Sequence, residues 1–203
     1  MIALDAGRLM TGRIDDETKF DTALHASLAL MSASARAGDN CGVLIFGRRI
    51  LKFLPPRRGI EHFDAVLEAL HDVEPAMVEP SYARAFQFIS SNLKKRAFVV
   101  VLTDVVDKVS SKELISSLKL LRPRHLPLVA TIGDRDLNAS VSKVPTDLND
   151  AFVQSAAEEI IHERGSALRL VESLGGLGLD VTTQSLAPRL LESYLRVKER
   201  GML

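Results

Sequence analysis

Phe98-Val99-Val100-Val101-Leu102 is an unbroken apolar run dominated by β-branched side chains, and it stops at Thr103-Asp104. A strand that faces water on one side alternates apolar and polar residues, so a run without alternation is buried on both faces. No other feature of the chain constrains its fold as strongly. It calls for a central strand in a largely parallel sheet, with helices covering both faces. Hydrophobic residues make up 46% of the 203-residue chain, enough for a core of that kind.

The rest of the chain supplies the helices and further strands. Residues 1–4 form a short apolar strand broken by Asp5-Ala6-Gly7. Phe20, Ala23, Leu24, Leu28, Met31 and Ala35 recur at helical spacing, with Asp15 or Asp16 as cap and Gly38-Asp39-Asn40 as stop. Phe63, Val66, Leu67 and Leu70 mark a second helix, and Tyr82, Ala85, Phe86, Ile89 and Leu93 a third. Ser110-Ser111-Lys112-Glu113 has the pattern of a capping box opening a fourth. Residues 126–132 make another buried strand, interrupted only by Pro127, and 133–145 read as a polar, irregular loop. A long helix covers about 146–174, Gly175-Gly176 stops it, residues 177–181 make a last strand and 190–198 a last helix.

One place departs from the alternation of strand and helix. Val43-Leu44-Ile45-Phe46 and Ile50-Leu51-Lys52-Phe53-Leu54 lie so close that they must form an antiparallel hairpin, with Gly47 suited to a positive-φ turn. Pro55-Pro56 ends the second strand and marks it as an edge. Arg48, Arg49, Lys52, Arg57 and Arg58 cluster there, either to keep the edge from pairing or to meet a phosphate or acidic partner. The expected architecture is a three-layer α/β fold: one domain over 1–203, a mostly parallel central sheet, one antiparallel edge strand. In such sheets ligands sit beyond the C-terminal strand ends, here Asp5, Thr103-Asp104 and Gly133-Asp134.

Charge and cysteine content remove several function classes. Lys+Arg and Asp+Glu are both 26, so the neutral total argues against nucleic-acid binding through bulk charge. Cys41 is the sole cysteine, which rules out an internal disulfide or a Cys-rich zinc site and reads as a small buried thiol. No apolar run reaches the length of a membrane span, and the opening lacks the basic stretch of a signal peptide. These point to a cytoplasmic or cytoplasm-facing chain. Since the first residues are already a strand, either the protein begins abruptly or this is the C-terminal domain of a longer chain.

The order of these motifs resembles the von Willebrand factor A fold. In that fold the first strand ends in Asp-x-Ser-x-Ser, a middle loop gives a threonine, and a later strand ends in Asp; together they hold one divalent cation through oxygen ligands. More narrowly, Leu4-Asp5-Ala6-Gly7-Arg8-Leu9-Met10, Pro55-Pro56-Arg57-Arg58-Gly59, Leu102-Thr103-Asp104 and the stretch from Leu121 to Leu128 resemble the bacterial domain-of-unknown-function 58 family. That resemblance implies membrane helices upstream in many members and a role beside MoxR-type AAA+ ATPases, as an adaptor and not a catalyst. Its metal motif is degenerate here. Asp5 and Asp104 match the two carboxylates, Gly7 and Leu9 stand at the serine positions, and Ser81, beside Pro80, is the one candidate for the middle-loop oxygen. With Asp5, Asp104 and Ser81 alone, Mg2+ would be held weakly or not at all.

Three roles stay open for the carboxylates: metal ligation, hydrogen bonding to loop amides or pairing with Arg8 or Arg13, and a metal-free groove for a partner. The partner-facing set is Asp5, Gly7, Arg8, Ser81, Asp104 and Asp107. Asp107 and Asp134 otherwise read as loop or cap residues. His25, His62, His71, His125 and His162 form no His-x-x-x-His pair; His125, beside a strand start, reads as a hydrogen-bonded core or edge histidine. There is no Gly-x-Ser-x-Gly elbow, and Cys41 has no neighbouring base. Gly175-Gly176-Leu177-Gly178 follows a helix, the reverse of the order a phosphate loop needs, and a dehalogenase-type second aspartate is replaced by Gly7. The expected function is a non-catalytic protein-interaction domain; the alternative is a metal-assisted hydrolase using Asp5 and Asp104.

Overall fold

A computed structural model describes every residue except Asp15, Asp107, Pro123, Asp134 and Leu203, together with all other side chains but those of Lys108, Arg135, Asp136 and Asn138. In chain order the strands are β1 (Ile2–Asp5), β2 (Arg13–Ile14), β3 (Glu17–Thr18), β4 (Cys41–Phe46), β5 (Ile50–Arg57), β6 (Phe98–Thr103), β7 (Leu126–Gly133) and β8 (Leu177–Thr182). The helices are α1 (Lys19–Arg36), α2 (Ile60–Leu70), α3 (Tyr82–Asn92), α4 (Lys108–Leu118), α5 (Arg135–Ser142), α6 (Leu148–Ser173) and α7 (Thr183–Glu199).

Six strands form one sheet in the order β5-β4-β1-β6-β7-β8. All its pairings are parallel except β4 with β5. The apolar run of β6 is buried along its whole length, and its alternate side chains enter two cores. Val100 and Leu102 pack with Phe20 and Leu30 of α1, Val66 of α2 and Leu190 of α7. Val99 and Val101 pack with Phe86 of α3, Leu118 of α4 and Val171 of α6. Each such buried Val or Leu stabilises the fold by roughly 1.5–3 kcal/mol, so β6 ties the three layers together.

β1 lies between β4 and β6, with Leu4 level with Ile45 and Leu102. Later strands add on the far side of β6, so the strand order reverses at β1, the place where such sheets take ligands. Asp5 ends β1 and Asp104 follows β6 there, and both are buried.

Several local expectations are corrected. α1 is capped by Thr18, whose hydroxyl accepts the Asp21 N–H while the Asp21 carboxylate accepts the Thr18 N–H; Asp16 is not the cap, and Asp15 lies outside the described residues. The β2–β3 hairpin was not legible, being two residues per strand. Gly47 does not adopt positive φ; a Cβ there would lie 3.3 Å from Val78, so close approach explains it. Pro55 and Pro56 do not end β5, which continues to Arg57 along a bulge at Gly42. A Cβ on Gly42 would meet Leu54 O at 2.6 Å and Pro56 N at 2.7 Å, and an edge strand tolerates prolines because their missing N–H faces outward. Of the basic cluster, Lys52 and Arg57 lie on β5, Arg48 and Arg49 precede it and Arg58 follows it, and all five are exposed.

Ser110 lies inside α4, which starts at Lys108. The stretch 133–145, read as loop, contains α5. α7 begins at Thr183, well before residue 190, behind a capping box of Thr182 and Ser185. His125 is buried, but among the described residues neither ring nitrogen has a hydrogen-bond partner. Burial, with Arg124 nearby, depresses its pKa and keeps the ring neutral. Cys41 is free and buried. Among the described residues, no helix is long and apolar enough to cross a membrane.

Candidate functional site

The parallel pairing of β1 with β6 brings the end of β1 level with Thr103, so Asp5 and Asp104 sit side by side at the C-terminal edge. Both are 1% exposed. Asp5 Oδ1 accepts the Gly7 N–H at 2.7 Å, and Oδ2 accepts the Thr103 hydroxyl at 2.6 Å and the Tyr82 hydroxyl at 3.4 Å. The two hydroxyls lie 2.8 Å apart. Tyr82 opens α3 and is itself buried. Burial raises the pKa of Asp5 to about 6; the Asp104 charge adds to the rise, and the hydrogen bonds from Thr103, Gly7 and Tyr82 oppose it. Burial, then the charge of Asp5, pushes the Tyr82 phenol well above its ordinary range, so it stays protonated.

Asp104 has different company. Its Oδ1 accepts the Val105 N–H and Arg164 Nη2, both at 2.8 Å, and its Oδ2 accepts Lys19 Nζ at 2.5 Å. Lys19 is the first residue of α1, and Arg164 lies mid-way along α6, 2% exposed. Arg164 Nη1 also lies 3.9 Å from Asp180 on β8, while its Nε is buried without a partner. A small cleft of about 110 Å³ opens beside it, lined by Gly133, Leu137 and Asp180 among others. A larger cleft of about 410 Å³, lined by Glu17, His25 and Gln184 among others, shares no lining residue with the carboxylates.

Asp104 therefore pairs with Lys19 and Arg164, and not with Arg8 or Arg13. Arg8 pairs with Glu79 at 2.8 Å in an exposed bridge, and Arg13 donates to the Asp16 carbonyl. Ser81 precedes α3 without capping it through its side chain, and its N–H donates to Gly47 O. Asp107 and Asp134 lie outside the described residues.

The von Willebrand factor A fold implies a divalent cation, and the residues present do not fit one. A Cβ on Gly7 would meet Pro80 Cδ at 2.8 Å and Val78 O at 2.9 Å, so the position of the first serine is filled by the neighbouring loop. That loop is laced on by Arg8 N–H to Val78 O and Ala76 N–H to Ala6 O. Leu9 offers no oxygen, and two protein cations already occupy Asp104. Among the described residues, no group of three or more His, Cys, Asp or Glu is placed to hold a metal ion.

Lys19, Arg164, Tyr82 and Thr103 complete the constellation and went unassigned from sequence. One signal was available: Arg164 falls on the buried stripe of α6 with Ala157, Leu168 and Val171, at spacings of seven, four and seven. An arginine on an apolar stripe needs an anionic partner.

Comparison with known proteins bears on the family and the fold. The sequence profile of the family described as "protein of unknown function DUF58" matches residues 1–152. No curated protein matches the chain. Among solved structures, the von Willebrand factor A (VWA) domain of SpRpn10 superimposes with a TM-score of 0.57 at 16% identity, covering 92% of this chain and 90% of that one. A mutant PilB minor pilin from Streptococcus sanguinis gives 0.67 at 10% identity, covering 98% of this chain and 61% of the pilin. An aerotolerance-related membrane protein from Bacteroides fragilis gives 0.54 at 16% identity, covering 95% of both chains. At these identities the likeness establishes a common fold.

Proposed function

The chain belongs to the DUF58 family, and from that premise we propose that it is a non-catalytic protein-interaction domain using the loops beyond β1 and β6. The observation that carries this reading is the closed state of the carboxylate pair. Asp104 is neutralised by Lys19 and Arg164, and Asp5 is locked under Thr103 and Tyr82. Groups so buried and paired position loops; they do not reach a substrate. What they hold at the surface is the rim carrying Arg8, Glu79 and Ser81, over a buried Gly7, where Arg8 and Glu79 side chains are 41% and 65% exposed. Asp107, the remaining member of the partner-facing set, lies outside the described residues.

The family resemblance makes a MoxR-type AAA+ ATPase the first partner to test. The likeness to a protein described as a membrane protein supports a cytoplasm-facing domain tethered to a membrane through the rest of its protein. The same charge pairing weighs against a metal-assisted hydrolase at Asp5 and Asp104. It favours no bound metal over weakly held Mg2+.

The test is binding of the purified chain to a purified MoxR-type ATPase, compared with its Arg8→Glu and Asp104→Ala variants. A loss of about tenfold or more in both supports the rim. Undiminished binding in both overturns the site, and no binding by the native chain overturns this partner. Calorimetric titration with Mg2+ and Mn2+ should give no saturable heat at millimolar ion; saturable heat lost in Asp104→Ala would restore the hydrolase reading.

A further inference from the structure

At the end of the sheet opposite the carboxylates, β6 and β7 begin and α3, α4 and α6 finish. Two turns meet there, because Phe98 is level with Leu126 and the Leu126 N–H donates to Ala97 O at 2.9 Å. One turn carries Lys94, Lys95 and Arg96, the other Lys119, Arg122 and Arg124. All but the half-buried Arg122 are exposed. Neither turn holds an acidic residue: none occurs from 80 to 103 or from 114 to 133, in a chain whose charges balance overall.

These cations are held in place without being neutralised. Arg124 Nη1 donates to Ser90 O at 3.2 Å and Leu93 O at 3.1 Å, and Arg122 Nε to Leu174 O at 2.5 Å. Lys94 Nζ donates to Ser91 O at 3.0 Å, and Arg96 Nη2 to Met202 O at 3.1 Å. Carbonyls at helix ends suit cations, but they carry only partial charge. Among the described residues no carboxylate pairs with any of the six. The acidic groups of this end lie elsewhere on it. Asp39 is taken by Lys198 at 2.7 Å and Tyr194 at 2.5 Å, and Glu172 lies against Gly178 on β8. Glu199 stands between Lys198 and Arg200 at the end of α7, and Glu61 follows Arg57 and Arg58 beside β5.

The form of this face decides what it can meet. None of the six cations lines either cleft described above, so they do not surround a single small anion. Six cations on neighbouring exposed turns suit an extended anionic surface. Leu120, next to Lys119 and 43% exposed, adds an apolar side chain of the kind that enters a lipid headgroup layer. Stacking of nucleic-acid bases would need aromatic rings, and Phe152, the one exposed aromatic side chain among the described residues, lies at the opposite end of the domain.

We propose that this basic face lies on an anionic phospholipid surface. The proposal rests on reading the chain as a domain tethered to a membrane through the rest of its protein, and it gives that domain an orientation. The six residues of β6, at about 3.3 Å each, set the Asp5–Asp104 edge and the Arg8–Glu79 rim about 20 Å farther from the lipid, turned toward a partner in solution.

The probes are vesicles of phosphatidylcholine alone and of phosphatidylcholine with a quarter phosphatidylglycerol, at millimolar lipid, co-sedimented with the full chain. The chain should bind the phosphatidylglycerol vesicles, leave them as sodium chloride is raised, and ignore the neutral ones. Lys95→Glu/Lys119→Glu should weaken binding tenfold or more and leave thermal unfolding unchanged, because both lysines are exposed and outside any ion pair described. Arg8→Glu should bind vesicles as the native chain does. No binding by the native chain, equal binding to both kinds of vesicle, or equal binding by the double variant overturns the proposal. The tether would then still stand, and fractionation of the full-length protein tests it separately. Tighter binding to a duplex oligonucleotide than to vesicles would assign the face to nucleic acid, and lipid-free self-association lost in Lys95→Glu/Lys119→Glu would assign it to a second copy; either overturns the proposal. Vesicle binding lost in Arg8→Glu alone would put the lipid at the strand-end rim, with the same result.

Discussion

Asp5→Asn should make the protein more stable at alkaline pH, although it removes a buried carboxyl from the end of a central strand. Asp5 has an ordinary pKa of 3.8 when unfolded and about 6 when folded, chiefly because burial penalises its charge. Between those values the folded chain holds a proton that the unfolded chain has released. The stabilisation that the protonated carboxyl brings is therefore complete below 3.8 and lost as pH rises through 6. A difference of about two pK units, at about 1.4 kcal/mol each, amounts to roughly 3 kcal/mol by about pH 8. Asparagine keeps the shape: its oxygen can accept the Gly7 N–H, and its amide can donate to the Thr103 or Tyr82 hydroxyl. Urea unfolding of both proteins from about pH 4.5 to 8.5 isolates this group, because all other titrations cancel in the difference. Relative to the native chain, the variant should gain about 2 kcal/mol (order of magnitude) between pH 4.5 and 8, since about a third of the native chain's loss has already occurred by pH 4.5. A difference that is flat with pH, or a variant less stable at pH 8, would refute the assignment of a desolvated carboxyl.

Asp104→Asn should cost about 3–5 kcal/mol in the same assay, because it leaves Arg164 buried with its Nε already unpartnered. Gly7→Ala should cost about 1–3 kcal/mol, the expense of displacing Pro80 and the Val78 carbonyl. Gly7→Ser should be no better, and adding Mg2+ at millimolar concentration should not raise its melting temperature. Thr18→Ala removes half of the α1 capping box, and should lose about 1 kcal/mol by urea unfolding.

Much of the scaffold was legible because it follows from local pattern. The β-branched run at 98–102 implies a strand covered on both faces, and the short gap between Phe46 and Ile50 implies an antiparallel edge. The ends of β1 and β6 place Asp5 and Asp104 together for the same reason. What was not legible depends on which distant residues arrive there. Lys19 comes from the start of α1 and Arg164 from the middle of α6; the apolar stripe of α6 marks Arg164 as needing an anion but not which one, and nothing local marks Lys19. Tyr82 reads as a core aromatic until its hydroxyl is seen at Thr103. α5 was missed because its Asn, Asp and Ser residues also favour turns. The bound on Gly7 comes from Pro80, more than seventy residues away.

The pairing of Asp104 with Lys19 and Arg164 also bears on how long the folded state lasts. These contacts span 85 and 60 residues, so they close only after α1, β6 and α6 have all docked. Where contacts close after the folding barrier they slow unfolding more than they speed folding, so Asp104→Asn should raise the unfolding rate and leave the refolding rate nearly unchanged in stopped-flow urea experiments. The buried charges are then best understood as a latch on the native state: they set its lifetime, while the apolar strands set how fast it is reached.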